Sequence, residues 1–231
     1  MMPTARERPE PPPLYAIADL SALAPRPIPE AVAEMAEAGI SWIQIRAKDL
    51  AGAALYRVVE ETGRRLEGSG VRLWIDDRAD LAALLPVAGL HLGQADLPPG
   101  AARVVAGLAG AGLWIGLSTH TARQVRAAAA DPEVDLVAVG PVFPTTGKAR
   151  PDPAVGLEFV AAARRATAKP LVAIGGIAPD NLAGVLAAGA DAVAVLGAIC
   201  RGDVKRNAAR LLAAVAEAAA SSEPGRRESA G

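Results

Sequence analysis

Short apolar runs rich in Val, Ile, Leu and Trp recur along the chain, and each is followed, after a few polar positions, by a longer stretch with helical spacing. The runs fall at residues 14–18, 41–46, 71–75, 89–92, 113–117, 134–139, 170–174 and 191–196. The helical stretches fall at 29–38, 53–66, 78–85, 100–108, 121–130, 157–167, 180–188 and 205–220. Gly39 stands where a glycine would end the first of these helices. Strict alternation of this kind predicts parallel strands joined by crossover helices. Eight strand–helix pairs are the number that closes an α/β TIM barrel, so the pattern predicts a (β/α)8 fold in one domain.

Residues 1–13 carry five prolines without periodicity and read as an N-terminal tail. The barrel is expected over 14–220, with 221–231 as a polar C-terminal tail. No Ser/Gly/Pro-rich linker divides the 231 residues internally. At 52% apolar but only 3% aromatic, the chain predicts a core of Ala, Val, Leu and Ile around a parallel sheet. A net charge of -1 without a basic stripe argues against a nucleic-acid partner. Cys200 is the only cysteine; it follows an apolar run and reads as a packed thiol rather than a nucleophile. No apolar run approaches the roughly 20 residues of a membrane span and no signal peptide is evident, so a soluble cytoplasmic protein without a membrane partner is expected. Oligomeric state is left open, and a homo-oligomer is compatible with the sequence.

In such barrels chemistry lies where the strands end. Polar residues stand at five of these exits: 44–48, 76–78, 93–96, 118–120 and 145–148. Glycines mark two more, Gly175-Gly176 and Gly197. Gln44, Arg46 and Lys48 alternate at period two, so all three face one side of their strand. Two inward cations need an anion: either Asp76 or Asp77 closing the barrel mouth, or a phosphorylated ligand. The other exits at the same face favour the ligand. Asp77 and Asp96 follow neighbouring strands, and two converging carboxylates with no Cys or His companion point to magnesium. Either aspartate, or Asp76, could instead cap its following helix. Gly176 and the Leu196-Gly197 turn leave backbone N–H groups open to a phosphate, although glycine is also ordinary turn chemistry. His120, beside Ser118, could be an acid, a base or a cap, and His91 reads as packed inside its strand.

The motifs Gln44-Ile45-Arg46-Ala47-Lys48, Asp76-Asp77-Arg78-Ala79-Asp80-Leu81, Gly89-Leu90-His91-Leu92-Gly93-Gln94-Ala95-Asp96, Ile115-Gly116-Leu117-Ser118-Thr119-His120, Gly140-Pro141-Val142-Phe143-Pro144-Thr145 with Lys148, and Ala173-Ile174-Gly175-Gly176-Ile177 resemble the thiamine phosphate synthase family in order and spacing. The resemblance runs from about Leu14 to Leu212. It implies a magnesium-dependent transferase of thiamine biosynthesis. The substrates would be 4-amino-2-methyl-5-(diphosphooxymethyl)pyrimidine and 4-methyl-5-(2-phosphooxyethyl)thiazole, and the products thiamine phosphate and diphosphate.

Carried over by position, Gln44, Arg46, Lys48, Asp76, Ser118 and Lys148 would hold the pyrimidine diphosphate, with Arg46, Lys48, Lys148 and Ser118 as the catalytic groups. Asp77 and Asp96 would bind Mg2+, while Thr145, Thr146, Gly147, Gly176, Leu196 and Gly197 would receive the thiazole phosphate. Three departures stand out. Gly147 replaces a threonine common in the family, Gly197 replaces a usual serine, and Asp76 replaces a common asparagine. The first two remove hydroxyls on the thiazole side, so weaker thiazole affinity is expected with the chemistry intact. The alternatives are the related thiazole tautomerase, which would use His120, and a phosphate-ligand-binding barrel without catalysis.

Overall fold

The computed structural model describes residues 9–107, 112–145 and 153–221. Its eight strands are β1 (Leu14–Asp19), β2 (Trp42–Arg46), β3 (Arg72–Asp76), β4 (Gly89–Leu92), β5 (Trp114–Thr119), β6 (Leu136–Val139), β7 (Leu171–Ile174) and β8 (Ala192–Val195). Each pairs in parallel with the next, and β1 also pairs with β8, so the sheet closes. The barrel expected from the pattern is the fold observed.

The helices of the outer ring are α2 (Ile28–Glu37), α3 (Gly52–Arg65), α4 (Ala79–Ala82), α5 (Pro99–Gly107), α6 (Ala122–Ala130), α7 (Gly156–Ala166), α8 (Leu182–Ala187) and α10 (Val204–Ser221). Two one-turn helices, α1 (Leu20–Leu23) and α9 (Gly197–Cys200), were not expected, because four residues leave no periodicity to read. Helix α2 ends as anticipated. Gly39 takes φ +104°, its N–H bonds to Ala36 O and that of Ile40 to Met35 O, which satisfies the last carbonyls.

Alternate residues of every strand face opposite ways. The outward set, such as Ile43, Ile45, Leu90, Val137 and Val193, packs against the helices as an aliphatic shell. The inward set is different from the all-aliphatic core expected. Tyr15, Trp42 and Trp74 come together inside the barrel with Leu136, Val172 and Ala192, and Trp114 packs against them. Ring centroids of Trp42 lie 5.0 Å from Trp74 and 5.7 Å from Trp114. The chain has three tryptophans, so its sparse aromatics are concentrated in this one layer. Room is made by glycine: a Cβ on Gly89 would lie 2.2 Å from the Trp74 ring. This plug fills the floor of the barrel and leaves the strand ends to form a pocket.

Cys200 is buried, its thiol donates to Ile17 O at 3.1 Å, and burial pushes its pKa up to about 11, as a packed thiol requires. Among the described residues no helix is long and apolar enough to cross a membrane.

Candidate active site

The C-terminal strand ends surround a cavity of about 700 Å³. Strands β1 to β5 supply its charged wall. Arg46, the last residue of β2, pairs with Asp19 at the end of β1 and lies 3.5 Å from Asp76 at the end of β3. Lys48 reaches Asp77 at 2.9 Å and Asp76 at 3.9 Å. Gln44 donates to Asp76 at 2.9 Å and accepts from the Tyr15 hydroxyl at 3.1 Å. The salt bridge weighed above therefore forms, and it involves both cations.

Asp77 is the only residue other than glycine with positive φ among the described residues, at 63°. Its N–H continues the β3–β4 ladder by bonding to His91 O at 2.9 Å before the chain turns. Such left-handed backbone is tolerated by Asp better than by most residues and clusters at functional sites. The turn carries its carboxyl to within hydrogen-bonding reach of Asp96. Asp96 is held in turn by the Gly93 N–H, which donates to its Oδ2 at 2.7 Å. Neither Asp76 nor Asp77 caps α4, whose N-cap is Arg78.

Asp19, Asp76, Asp77 and Asp96 put four carboxyls against the two cations Arg46 and Lys48. Burial and the nearby Asp77 charge push the Asp76 pKa up to about 7, against the pull of Lys48 and Arg46. Burial also raises Asp77, where the Lys48 bond opposes and the Asp96 hydrogen bond adds to the shift. For Lys48, burial acts downward, but the Asp77 bond and the carboxylate charges outweigh it and hold its pKa above the ordinary value. The cluster is short of positive charge, and its donors are hard oxygens, so a divalent cation such as Mg2+ fits it. Among the described residues no set of three or more His, Cys, Asp or Glu side chains is arranged to hold a metal ion. Two carboxylates, Asp77 and Asp96, suit an ion that keeps water and shares its shell with a substrate phosphate.

Strands β6 to β8 build the facing wall largely from main chain, with the Arg201 side chain after α9 also lining it. Val142 and Phe143 donate to Ile174 O and Gly175 O, at 2.8 and 2.9 Å, interlocking the loops after β6 and β7. A Cβ on Gly175 would lie 2.4 Å from Pro141, and one on Gly176, with φ +66°, 2.6 Å from Pro144 O. Close packing between loops thus accounts for this glycine pair. Gly197 differs, since a Cβ there would meet nothing within 4 Å.

Thr145, Gly176, Leu196 and Gly197 line the cavity with Gln44, Arg46, Lys48, Asp76, Asp77, Asp96 and Ser118. Thr146, Gly147 and Lys148 lie outside the described residues. The sequence reading missed four lining or supporting groups. Asp19 caps α1 through the Ala22 N–H at 3.0 Å while holding Arg46, and Tyr15 braces Gln44. Arg201, at the end of α9, also lines the cavity. His91 is a correction: it is buried as expected, but it faces the cavity and its Nε2 lies 2.9 Å from Ser118 Oγ. The signal for Asp19 and Tyr15 was the period-two alternation within β1. His120 does not cap α6, a role taken by Thr121, and its Nδ1 lies 2.6 Å from Gly140 O.

The model of a family described as thiamine monophosphate synthase matches residues 14–199. The chain belongs to this family. A thiamine-phosphate synthase of Koribacter versatilis is 40% identical over 189 residues, covering 80% of this chain and 87% of that protein. One from Acidothermus cellulolyticus is 42% identical over 184 residues, covering 79% and 85%. The solved thiamine phosphate pyrophosphorylase of Pyrococcus furiosus superposes with a TM-score of 0.77 at 30% identity, over 89% of this chain and 96% of that one. A 3-hexulose-6-phosphate synthase, at 19% identity and TM-score 0.61, shares the fold alone. The expected membership holds, and with it the expectation of a transferase of thiamine biosynthesis, a thiamine-phosphate synthase.

Proposed function

We propose that this chain transfers the pyrimidinylmethyl group from its diphosphate to the nitrogen of the thiazole phosphate, giving thiamine phosphate and diphosphate. The observation that carries this reading is the cavity's division into a wall of charged side chains and a wall of main chain. A diphosphate departs with its bonding electrons only where the developing charge is met by preorganised groups. Arg46, Lys48 and Lys148 supply positive charge, and Ser118 donates through its hydroxyl. Gln44 and Asp76 orient the pyrimidine diphosphate beside them. Asp77 and Asp96 would hold Mg2+, which when bound offsets charge on the diphosphate.

The thiazole phosphate is received by Thr145, Thr146, Gly147, Gly176 and the Leu196-Gly197 backbone. The C–O bond breaks first, its electron pair leaving on diphosphate, and the thiazole nitrogen lone pair then forms the C–N bond to the methylene cation, so no protein nucleophile is required. Holding the nitrogen in line with the methylene carbon supplies the rest of the acceleration.

The test uses wild-type protein with both substrates and Mg2+. Thiamine phosphate and diphosphate are expected in a one-to-one ratio, with product lost when either substrate is omitted. Thiazole isomerisation without product would favour the tautomerase, and binding without turnover would favour the non-catalytic barrel.

A further inference from the structure

Ser118 is held from two sides by the strand before it and that strand's exit loop. The Gln94 side-chain amide donates to Ser118 O at 2.7 Å, and His91 Nε2 lies 2.9 Å from Ser118 Oγ. The His91 ring has little freedom to move, because it occupies the space left by Gly116, where a Cβ would lie 2.7 Å from Nδ1. Its carbonyl is bound to the Asp77 N–H at 2.9 Å. The β4 strand and exit thus hold the Ser118 hydroxyl and, through Gly93, the Asp96 carboxyl.

We infer that His91 is a positioning residue, whose Nε2–H donates to Ser118 Oγ and so turns the serine's single proton into the cavity. The inference rests on the diphosphate-binding role proposed above for Ser118. A hydroxyl has one proton, and diphosphate oxygens only accept. If Ser118 donates to diphosphate, the contact with His91 must be donated by the imidazole. Neutral His91 is therefore the Nε2–H tautomer. His120 is the opposite case: its Nδ1 faces the Gly140 carbonyl at 2.6 Å, which demands Nδ1–H.

The chain has two histidines, so the assignment can be read directly. The nitrogen NMR spectrum of the full-length protein with magnesium diphosphate is recorded at pH about 8, above the ordinary imidazole pKa of about 6.5. The expected result is one Nε2–H and one Nδ1–H ring, with the Nε2–H signals lost in His91→Gln. An Nδ1–H tautomer for His91 would overturn the inference. Kinetics supply the second test. Ser118→Ala and His91→Leu are each expected to slow kcat about a hundredfold, with little change in the KM for thiazole phosphate. The double variant is expected to be no more than about twofold slower than Ser118→Ala, because the two residues act as one unit. His91→Gln, which keeps a donor near Nε2, is expected to recover most of the rate. Losses that multiply in the double variant would show that His91 acts elsewhere. Should His91→Leu not fold, the wild-type spectrum and His91→Gln still decide. Absence of thiamine phosphate from wild-type protein would instead sink the proposed function, while the tautomer would still report on the hydrogen bond.

Discussion

The two walls of the cavity solve different problems with different materials. On the β1–β5 side, four carboxyls and two cations crowd together, and most of their hydrogen bonds run from side chain to side chain. On the β6–β8 side the contacts run from main chain to main chain, and glycines allow loops to touch. Side-chain charge suits a group whose own charge grows during the reaction. Main-chain donors suit a phosphate that needs only to be held in place. Substitutions on the first wall should therefore act on kcat, and those on the second on KM.

The largest effect is expected from Arg46→Ala, which removes a cation from the leaving-group side and leaves Asp19 and Asp76 with fewer partners. A kcat loss approaching a thousandfold is expected in steady-state assays. Stability should fall by about 2 kcal/mol in urea melts, after discounting for the arginine's partial exposure.

Asp76→Asn tests the charge excess directly. The folded-state carboxyl, pushed up to about 7, keeps its proton from the unfolded value of about 3.9 upward through that window. There the folded state binds more protons than the unfolded one, so the wild-type contribution to stability falls as pH rises. In protein kept metal-free by chelator, the asparagine variant should be more stable than wild type at pH about 8, by on the order of 2 to 4 kcal/mol, with the gap closing near pH about 4. Equal pH slopes for the two proteins would refute the assignment.

On the facing wall, Gly176→Ala forces a side chain to within 2.6 Å of Pro144 O at a φ of +66°. A rise of about tenfold in the KM for thiazole phosphate, equivalent to about 1.4 kcal/mol, is expected with kcat nearly unchanged. Gly197→Ser goes the other way. The site has open space, and an added hydroxyl should lower that KM by a few-fold, roughly one hydrogen bond's net worth of about 1 kcal/mol. If both variants altered kcat instead, the division between the walls would fail.

How much of this could be read from the chain depends on distance along it. The alternation of apolar runs and helical stretches is local, and it yielded the barrel and the exits where Gln44, Arg46, Asp76, Asp77, Asp96 and Ser118 stand. The side-chain partners that strands bring together were not readable. Asp19 caps a one-turn helix too short to be read from the pattern, and its link to Arg46 exists only because β1 lies beside β2. His91 looked packed, and it is buried; the room for its ring comes from the missing side chain at Gly116, on the next strand, which the pattern within β4 does not reveal. The Gly175-Gly176 pair looked like ligand access, whereas contact with Pro141, Phe143 and Pro144 accounts for it.

The most direct measurement is single-turnover formation of thiamine phosphate by wild type and by Asp77→Ala across a magnesium titration. Wild type is expected to require the ion, and the variant to be slower by about a hundredfold or more at saturating magnesium. Equal rates for the two proteins, or full wild-type activity in excess chelator, would contradict the assignment of the Asp77–Asp96 pair.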